Sequence, residues 1–291
     1  MDKLKILGVS RGSRFSPNHI VNDDAVFSLT AAELAKHNCE VTICTEDEFL
    51  EKASIEETFI FTMAREKKVV ARLQELEDAG KKVINSGYGI ENCFRTNMTR
   101  RLLENNIPYP RSCIIPTAES DYDVFEKLDG NGVWIKRGDF HAIHKEDVTF
   151  VESAEQGRNI LKEFSLRGIP DAVISEHLFG DLVKFYGISG DRFFHLFYPY
   201  DHNHLKYSEH ETVNGKTVHY PFDKLALREA AARSAAVLNI DIYGGDAIVD
   251  KNGRFHIIDM NDWPSFAPCR EEAVVHIAAH IFNYFSAAVT S

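Results

Sequence analysis

The N-terminal part of the chain alternates between short apolar runs and longer stretches with apolar residues three or four positions apart. The first pattern predicts strands, and the second predicts amphipathic helices. The strands predicted in this part cover residues 3–9, 40–44, 58–62 and 82–84, and the helices cover residues 22–37 and 65–79. Because strands that alternate with helices form parallel sheets, we expect a parallel α/β lobe over residues 1–88.

The rest of the chain has a mixed pattern that predicts α+β organisation. The last helix has a stripe of apolar residues along one face, which we interpret as core packing. The stripe consists of Val274, Ile277, Ile281 and Phe285. Strands are predicted at residues 112–115, 133–136, 149–151, 172–175, 182–189 and 192–198, and helices at residues 95–107, 154–166 and 223–238.

Two strongly apolar strands near the C-terminus flank the turn Lys251-Asn252-Gly253, which predicts a β-hairpin. Asp259 and Asn261 are two residues apart on the second strand and therefore face the same side, which Asp246 on the first strand can also reach. Carboxylates beside a buried sheet are costly unless a cation or a donor pairs with them. Because Mg²⁺ prefers oxygen ligands and is often shared with phosphates, we predict a magnesium site here rather than a solvated turn.

Two earlier segments carry polar groups at the ends of predicted strands. Lys136 leaves a strand just before a loop that contains His141 and His144, and such a lysine can hold phosphates while backbone amides close over them. We expect both histidines to be exposed turn residues. Further on, the polar break Glu176-His177-Leu178 separates a buried strand from a strand that carries Lys184. Backbone groups at such a break can bind a flat heterocycle.

These three segments, in this order and with the hairpin last, resemble the ATP-grasp superfamily over about residues 90–291, in particular ribosomal-protein glutamate ligases and glutathione synthetases. The resemblance implies an ATP-grasp fold of two α+β subdomains, at residues 89–178 and 179–291, that follow the α/β lobe and hold ATP between them. It also implies a role for each matching residue. Lys136 and Lys184 would bind phosphates, the backbone at Glu176, His177 and Leu178 would contact adenine, Asp181 would contact ribose, and Asp246, Asp259 and Asn261 would hold Mg²⁺, or Mn²⁺ in its place.

The sequence departs from this family pattern at three places, one of which is that the loop after Lys136 has histidines where small glycines are usual. The family usually has a lysine at the start of the helix near residues 95–100, where this chain offers Arg95 or Arg100 as a substitute of different geometry. Most ligases of the family have glutamate at the position of Asp259. An Asp-x-Asn motif followed by aromatic residues and proline is more similar to the inositol trisphosphate kinases. We therefore keep three functions open: a carboxylate–amine or carboxylate–thiol ligase that forms an acyl phosphate, a small-molecule kinase that phosphorylates a hydroxyl, and a nucleotide-binding module without turnover.

Candidate residues for binding the acceptor lie in loops that follow predicted strands, because ligands of open α/β sheets bind at the carboxyl ends of the strands. Arginine at such a position can bind a planar anion through two hydrogen bonds. We assign catalytic roles to Arg14, Arg65 and Lys184, and we interpret Cys269 as a structural thiol. Further candidates are Arg11, Ser16 and Asn18, and weaker ones are Lys206 and Arg270.

Composition and charge exclude several other classes. The 291 residues include 33 basic and 44 acidic side chains, a net charge of −11, which argues against nucleic acid or an anionic membrane as the main partner. No apolar run is long enough to span a bilayer and no secretory signal is present, so we expect a cytoplasmic enzyme with small-molecule carboxylate and amine substrates. A homodimer is compatible with the sequence. The five cysteines form no CxxC pair, which favours reduced thiols.

Overall fold

The computed structural model describes residues 3–15, 20–118, 131–199, 213 and 216–290. Within these ranges the strands form three four-stranded sheets that follow one another along the chain. The first sheet is parallel and the other two are antiparallel, which confirms the predicted combination of an α/β lobe with two α+β parts. No helix in the described part of the chain combines the length and apolar content that a bilayer span requires.

The N-terminal lobe is built around the parallel sheet, with strand order β2-β1-β3-β4. The strands are β1 (Leu4–Val9), β2 (Cys39–Cys44), β3 (Phe59–Thr62) and β4 (Lys82–Ile84). The helices are α1 (Ile20–Lys36), α2 (Glu46–Glu51), α3 (Lys67–Asp78) and α4 (Gly87–Asn92). All strands run in one direction, so their carboxyl ends meet at one edge and the loops that follow β1 and β3 lie close together. The boundary that we predicted at residue 88 falls inside α4.

The middle part of the chain forms the second sheet, with strand order β5-β8-β6-β7. Its elements are α5 (Arg95–Glu104), β5 (Ser112–Pro116), β6 (Val133–Arg137), β7 (Val148–Val151), α6 (Ala154–Leu166) and β8 (Asp171–Glu176). Helix α6 begins at the N-cap Ser153, whose hydroxyl accepts a hydrogen bond from the Gln156 amide, and it buries Leu161 and Phe164 against the sheet. Gly168 and Pro170 follow it, as predicted.

The C-terminal part forms the third sheet, with strand order β10-β9-β11-β12. Its elements are β9 (Asp181–Ile188), β10 (Phe194–Phe197), α7 (Lys224–Leu238), β11 (Ile242–Val249), β12 (Phe255–Asp262) and α8 (Arg270–Thr290). Helix α7 covers one face of this sheet. The apolar stripe of α8 is buried in one cluster with Phe27 and Phe61 of the N-terminal lobe, which confirms its role in the core. Burial of this kind is the main favourable term in folding, so α8 ties the C-terminal sheet to the N-terminal lobe.

Candidate active site

The three residues of the predicted metal site lie on one face of the C-terminal sheet. Asp246 on β11 is directly opposite Asp259 on β12, and Asn261 is opposite Gly244 two residues along. Lys184 on β9 is the neighbour of Asp246 on the other side. Because cross-strand neighbours point to the same side of a sheet, two carboxylates, an amide and an ammonium group meet on one half-buried surface. We call this set the carboxylate row.

Both carboxylates are paired with cations. Lys184 forms an ion pair with Asp246, and Arg95 Nη1 at the start of α5 donates a hydrogen bond of 3.1 Å to Asp259 Oδ1. Burial alone would raise the pKa of Asp259, but the charges of Arg95 and Lys136 hold it below its usual value. Asp259 is therefore ionised at neutral pH. Arg100, the other candidate for the missing lysine, is exposed on α5, so the structure brings Arg95 to the site and leaves Arg100 outside it.

Lys136 approaches the carboxylate row from the middle sheet. Its ammonium group is buried and lies 3.3 Å from the carbonyl oxygen of Ile258 on β12. Burial, together with the positive charge of Arg95, lowers its pKa to about 8. Lys136, Lys184 and Arg95 thus bring three cationic side chains to two carboxylates, an excess of positive charge that suits a polyphosphate.

The polar break predicted between two strands is present. Strand β8 ends at Glu176 and β9 begins at Asp181, so the backbone of the intervening residues lies outside the ladder of the sheet. Glu176 accepts hydrogen bonds from both the backbone and the side chain of Arg111. His177 Nδ1 lies 3.1 Å from Trp134 Nε1, burial lowers the pKa of this imidazole, and Leu178 is half-buried beside it. Hydrogen bonds to Arg111 and Trp134 therefore hold this segment between β8 and β9, and its imidazole is neutral at neutral pH.

Solved structures with the same fold cover almost the whole chain. D-alanine–D-alanine ligase from Bacillus anthracis is similar with a TM-score of 0.70 and 16% sequence identity, over 98% of each chain. A RimK domain protein from Sphaerobacter thermophilus gives a TM-score of 0.66 at 14% identity, over 95% of this chain and 99% of its own. The ATP-grasp ligase PsnB, complexed with a minimal precursor, gives 0.63 at 14% identity, over 97% of this chain and 99% of its own.

The chain has the ATP-grasp fold. This confirms the resemblance seen in the sequence, although the sequence itself matches no protein-family model and no curated protein. At such low identity the likeness is one of fold, and the chemistry of the site has to be argued from its own residues.

The residues of the carboxylate row fit a divalent cation that is shared with a nucleotide. Among the described residues, no group of three or more His, Cys, Asp or Glu side chains could hold a metal alone. Asp246, Asp259 and Asn261 offer two carboxylates and one amide oxygen, which is a partial ligand set of the hard type that Mg²⁺ prefers. Phosphate oxygens are ligands that can complete such a set, and Lys136, Lys184 and Arg95 beside it suit a phosphate.

Asp181, the residue predicted to contact ribose, accepts hydrogen bonds from the segment before α7. Its side chain is buried, and its two oxygens accept hydrogen bonds of 2.8 Å from the backbone amides of Val218 and Tyr220. Both oxygens are thus engaged in holding the segment that precedes α7. The ribose contact of Asp181 stays a prediction.

The structure separates the two arginines that we assigned as catalytic. Arg65 is buried after β3, and its Nη2 lies 3.3 Å from Asp262 Oδ1 at the end of β12. Arg14 is 57% exposed and forms an ion pair with Glu66 on the surface. Arg65 therefore faces the C-terminal sheet, whereas Arg14 does not.

The remaining acceptor candidates have different environments. Arg11 is buried, donates to the carbonyl oxygens of Met63 and Trp263, and pairs with Asp23 at 3.1 Å. Arg270 donates to Asn22 at 2.7 Å. Ser16, Asn18 and Lys206 lie outside the described residues. Burial raises the pKa of the Cys269 thiol to about 12, which agrees with a structural cysteine.

Two residues of this region were not predicted as site residues, Asp262 and His141. Asp262 is 1% exposed and lies within ion-pair distance of Arg11, Arg65 and His141. Burial would raise its pKa, but Arg65 and His141 outweigh burial and lower it to about 2. His141 is 5% exposed, so the expectation of an exposed turn residue was wrong for His141, although it holds for His144. For Asp262, the sequence offered one signal: it is an acidic residue directly after the predicted metal ligand Asn261.

Proposed function

We propose that this protein is an ATP-dependent ligase that joins a carboxylate to an amine, or to a thiol, through an acyl phosphate. The observation that carries the proposal is the carboxylate row, where Asp246 and Asp259 face each other within reach of Lys184, Arg95 and Lys136. Opposed carboxylates with a surplus of cations favour a magnesium-bound triphosphate over an uncharged ligand. Solved proteins of this fold support the nucleotide, because a D-alanine–D-alanine ligase is complexed with ATP and PsnB is complexed with Mg and ADP.

In this proposal the protein acts by positioning and by charge neutralisation, as in other phosphoryl transfers. Lys136, Lys184 and Arg95 would hold the phosphates, and the backbone around His177 and Leu178 would hold the adenine. Bound Mg²⁺, or Mn²⁺, would neutralise phosphate charge beside Asp246, Asp259 and Asn261. None of these groups needs to act as a covalent nucleophile.

The carboxylate substrate is assigned to the edge where β1 and β3 end. The side chains of Arg65 and Arg11 are buried there, and both lie next to Asp262 at the end of β12. Because both arginines are already paired with Asp262, this edge suits a small carboxylate better than a heavily phosphorylated ring. The substrates are therefore small molecules, and the net charge of −11 argues against nucleic acid or an anionic membrane as a partner.

A small-molecule kinase is the second candidate, and the residue that favours it is Asp259. Aspartate in this position, followed by Asn261 and an aromatic residue, is the feature that resembles inositol trisphosphate kinases. A kinase would use the same nucleotide site and would transfer the phosphoryl group to a hydroxyl instead of a carboxylate.

ADP release with pooled acceptors, followed by mass spectrometry of the products, distinguishes these functions. A ligase releases ADP and phosphate only when an acid and an amine or thiol are both present, and it leaves an amide or thioester. A kinase releases ADP without free phosphate and leaves a phosphorylated polyol. Binding of Mg-ATP without ADP release from any pool would contradict both and would favour a module without turnover. The Asp259→Asn variant is the matched control for contaminating ATPases.

A further inference from the structure

A cavity of about 290 Å³ lies between the start of β10 and the first two turns of α8. We call it the edge cavity, because β10 is the edge strand of the C-terminal sheet in the part of the chain that the structure describes. None of the described residues that line it belongs to the carboxylate row. The lining consists of Arg192, Phe193, Phe194, His195, Glu272 and His276.

On the α8 side, the edge cavity is lined by an imidazole that a carboxylate holds in place. His276 Nδ1 lies 2.9 Å from Asp191 Oδ1, and the same oxygen accepts a hydrogen bond of 2.7 Å from the backbone amide of Phe193. Burial would raise the pKa of Asp191, but these two hydrogen bonds outweigh burial and lower it, so the carboxylate is ionised at neutral pH. Because an ionised carboxylate only accepts, Nδ1 of His276 is the donor, and in the neutral ring Nε2 is then an acceptor that is left for a ligand.

On the β10 side, the edge cavity is lined by a second imidazole. The ring of His195 stacks on Tyr186, with centroids 6.5 Å apart and an angle of 13° between the ring planes. Burial lowers the pKa of His195 against the opposing charge of Glu272, so this ring is neutral at neutral pH. The two imidazoles and Glu272 do not form a metal centre, because no group of three such side chains within the described ranges could hold a metal ion. The cavity therefore suits an organic ligand.

Two side chains of opposite charge line the edge cavity without pairing. Arg192 precedes β10 and Glu272 lies in the first turn of α8, and among the described residues neither side chain forms a hydrogen bond or an ion pair. A purely anionic ligand would be repelled by Glu272, and a purely cationic one by Arg192. A zwitterion satisfies both, because a guanidinium binds a carboxylate through two hydrogen bonds and a carboxylate accepts from an ammonium group.

The size of the edge cavity restricts the zwitterion to a small one. Cavities that bind small molecules commonly measure about 300–1,000 Å³. The edge cavity is at the lower end of this range, where a single amino acid fits. Phe193, whose ring lies 5.3 Å from that of His276, and Phe194 add apolar surface against which an amino-acid side chain can pack.

We propose that the edge cavity binds a free α-amino acid as a zwitterion. Arg192 binds the carboxylate of this amino acid, and Glu272 and His276 Nε2 accept hydrogen bonds from its ammonium group. The inference goes beyond the proposed ligase function and does not depend on it, since the edge cavity shares no residue with the nucleotide site proposed above.

The edge cavity is separate from the carboxylate row but lies on the same face of the sheet. His195 is opposite Tyr186 on β9, two residues along from Lys184, which is opposite Phe197. Neighbouring strands are about 4.8 Å apart and residues two apart on a strand about 6.6 Å, which puts the backbone of His195 about 8 Å from that of Lys184. A bound amino acid would join α8 to this edge strand, so its binding should stabilise the folded chain.

Titration calorimetry of the full chain, without nucleotide, tests the site. Each of the twenty protein amino acids is titrated separately. The best binder is then compared with its amide, which lacks the carboxylate, and with its N-acetyl derivative, which lacks the ammonium group. The variants are Arg192→Gln and Glu272→Gln, with Glu271→Gln as the matched control, because Glu271 is exposed on the same turn of α8 and does not line the cavity. The Kd for Mg-ATP is measured for every variant.

We expect at least one amino acid to bind wild type with a Kd of about 1 mM or tighter and to raise its melting temperature. Arg192→Gln and Glu272→Gln should each raise this Kd at least about tenfold, and Glu271→Gln should stay within about twofold of wild type. The amide and the N-acetyl derivative should bind at least about tenfold more weakly than the free amino acid. The Kd for Mg-ATP should change less than about twofold in all three variants.

Absence of binding by every amino acid would overturn the proposal. Binding that both cavity variants leave unchanged would place the amino acid elsewhere and would overturn it too, and equal binding of the two blocked derivatives would contradict a zwitterion. Loss of Mg-ATP affinity in the cavity variants would contradict a site separate from the nucleotide. None of these measurements depends on ADP release, so the edge cavity and the ligase function can fail independently.

Discussion

Asp246 and Asp259 lie directly opposite each other on β11 and β12, and the register of the two strands shifts immediately after Asp246. Such a bulge is a common way to re-aim side chains next to an active site. Here it accompanies the change from an apolar hairpin to a polar one, because Ala247 beyond the bulge is opposite Ile257. The pairing register of β11 and β12 therefore fixes the two carboxylates opposite each other.

Replacing Asp259 tests the carboxylate row. Asp259→Asn removes one negative charge beside Arg95 and Lys136 and leaves an amide of the same size. We expect ADP release to fall at least about 100-fold, because the charge that would hold the cation is gone. The melting temperature, measured in parallel, should stay within a few degrees of wild type. Undiminished ADP release would refute the assignment of a metal site here.

Lys136 should contribute to nucleotide affinity. Lys136→Ala removes a buried cation next to β12, so we expect the Kd for Mg-ATP in titration calorimetry to rise at least about tenfold, or about 1.4 kcal/mol. Lys162→Ala is the matched control, since it removes an exposed lysine from the same part of the chain. Equal affinities for the two variants would count against a phosphate contact by Lys136.

The two arginines of the N-terminal lobe should differ in importance. Arg65 is buried against Asp262, whereas Arg14 is paired only with Glu66 at the surface. We expect Arg65→Lys to raise the KM for the acid substrate about tenfold or more, because lysine cannot reproduce a planar, bidentate contact. Arg14→Lys should change KM less than about twofold, since exposed ion pairs contribute little. The reverse order would return the catalytic role to Arg14.

Acid stability should report on Asp262. Its folded-state pKa of about 2 is below the usual value, so its contribution is fully present above about pH 4 and is lost as the pH falls towards 2. From pH 5 to pH 3, this group alone should lower the free energy of unfolding by about 1 kcal/mol. Urea denaturation of wild type and Asp262→Asn at both pH values measures the difference. Equal losses in the two proteins would show that Asp262 has a normal pKa.

Much of the fold could be predicted from local pattern. The hairpin with Lys251-Asn252-Gly253 at its turn, and helix α6 with its stop at Gly168, follow from turn chemistry and apolar spacing, and both are present in the structure. Helix α4 was missed because Gly87 and Gly89 disfavour a helix. The close approach of α4 to the end of α7 explains why glycine is present in this helix. A Cβ on Gly89 would lie 2.0 Å from the carbonyl oxygen of Asn239, so only glycine lets the two elements approach this closely.

The site was predicted in part, and the missed residues share one cause. Strand geometry places Asp246, Asp259 and Asn261 on one face of the sheet. The spacing of these residues in the sequence is enough to predict this. Asp262 and His141 come together from elements 121 positions apart, and no local pattern encodes that meeting. Helix α2 was missed for a different reason. Its capping box of Thr45 and Glu48 was a local signal that could have been used.

Titration calorimetry of ATP with and without magnesium tests the central claim most directly. If the carboxylate row binds a cation that is shared with the triphosphate, wild type should bind Mg-ATP at least about tenfold more tightly than ATP with a chelator. Asp259→Asn should lose most of that difference. Absence of any heat of binding, or an affinity that does not depend on magnesium, would contradict the account.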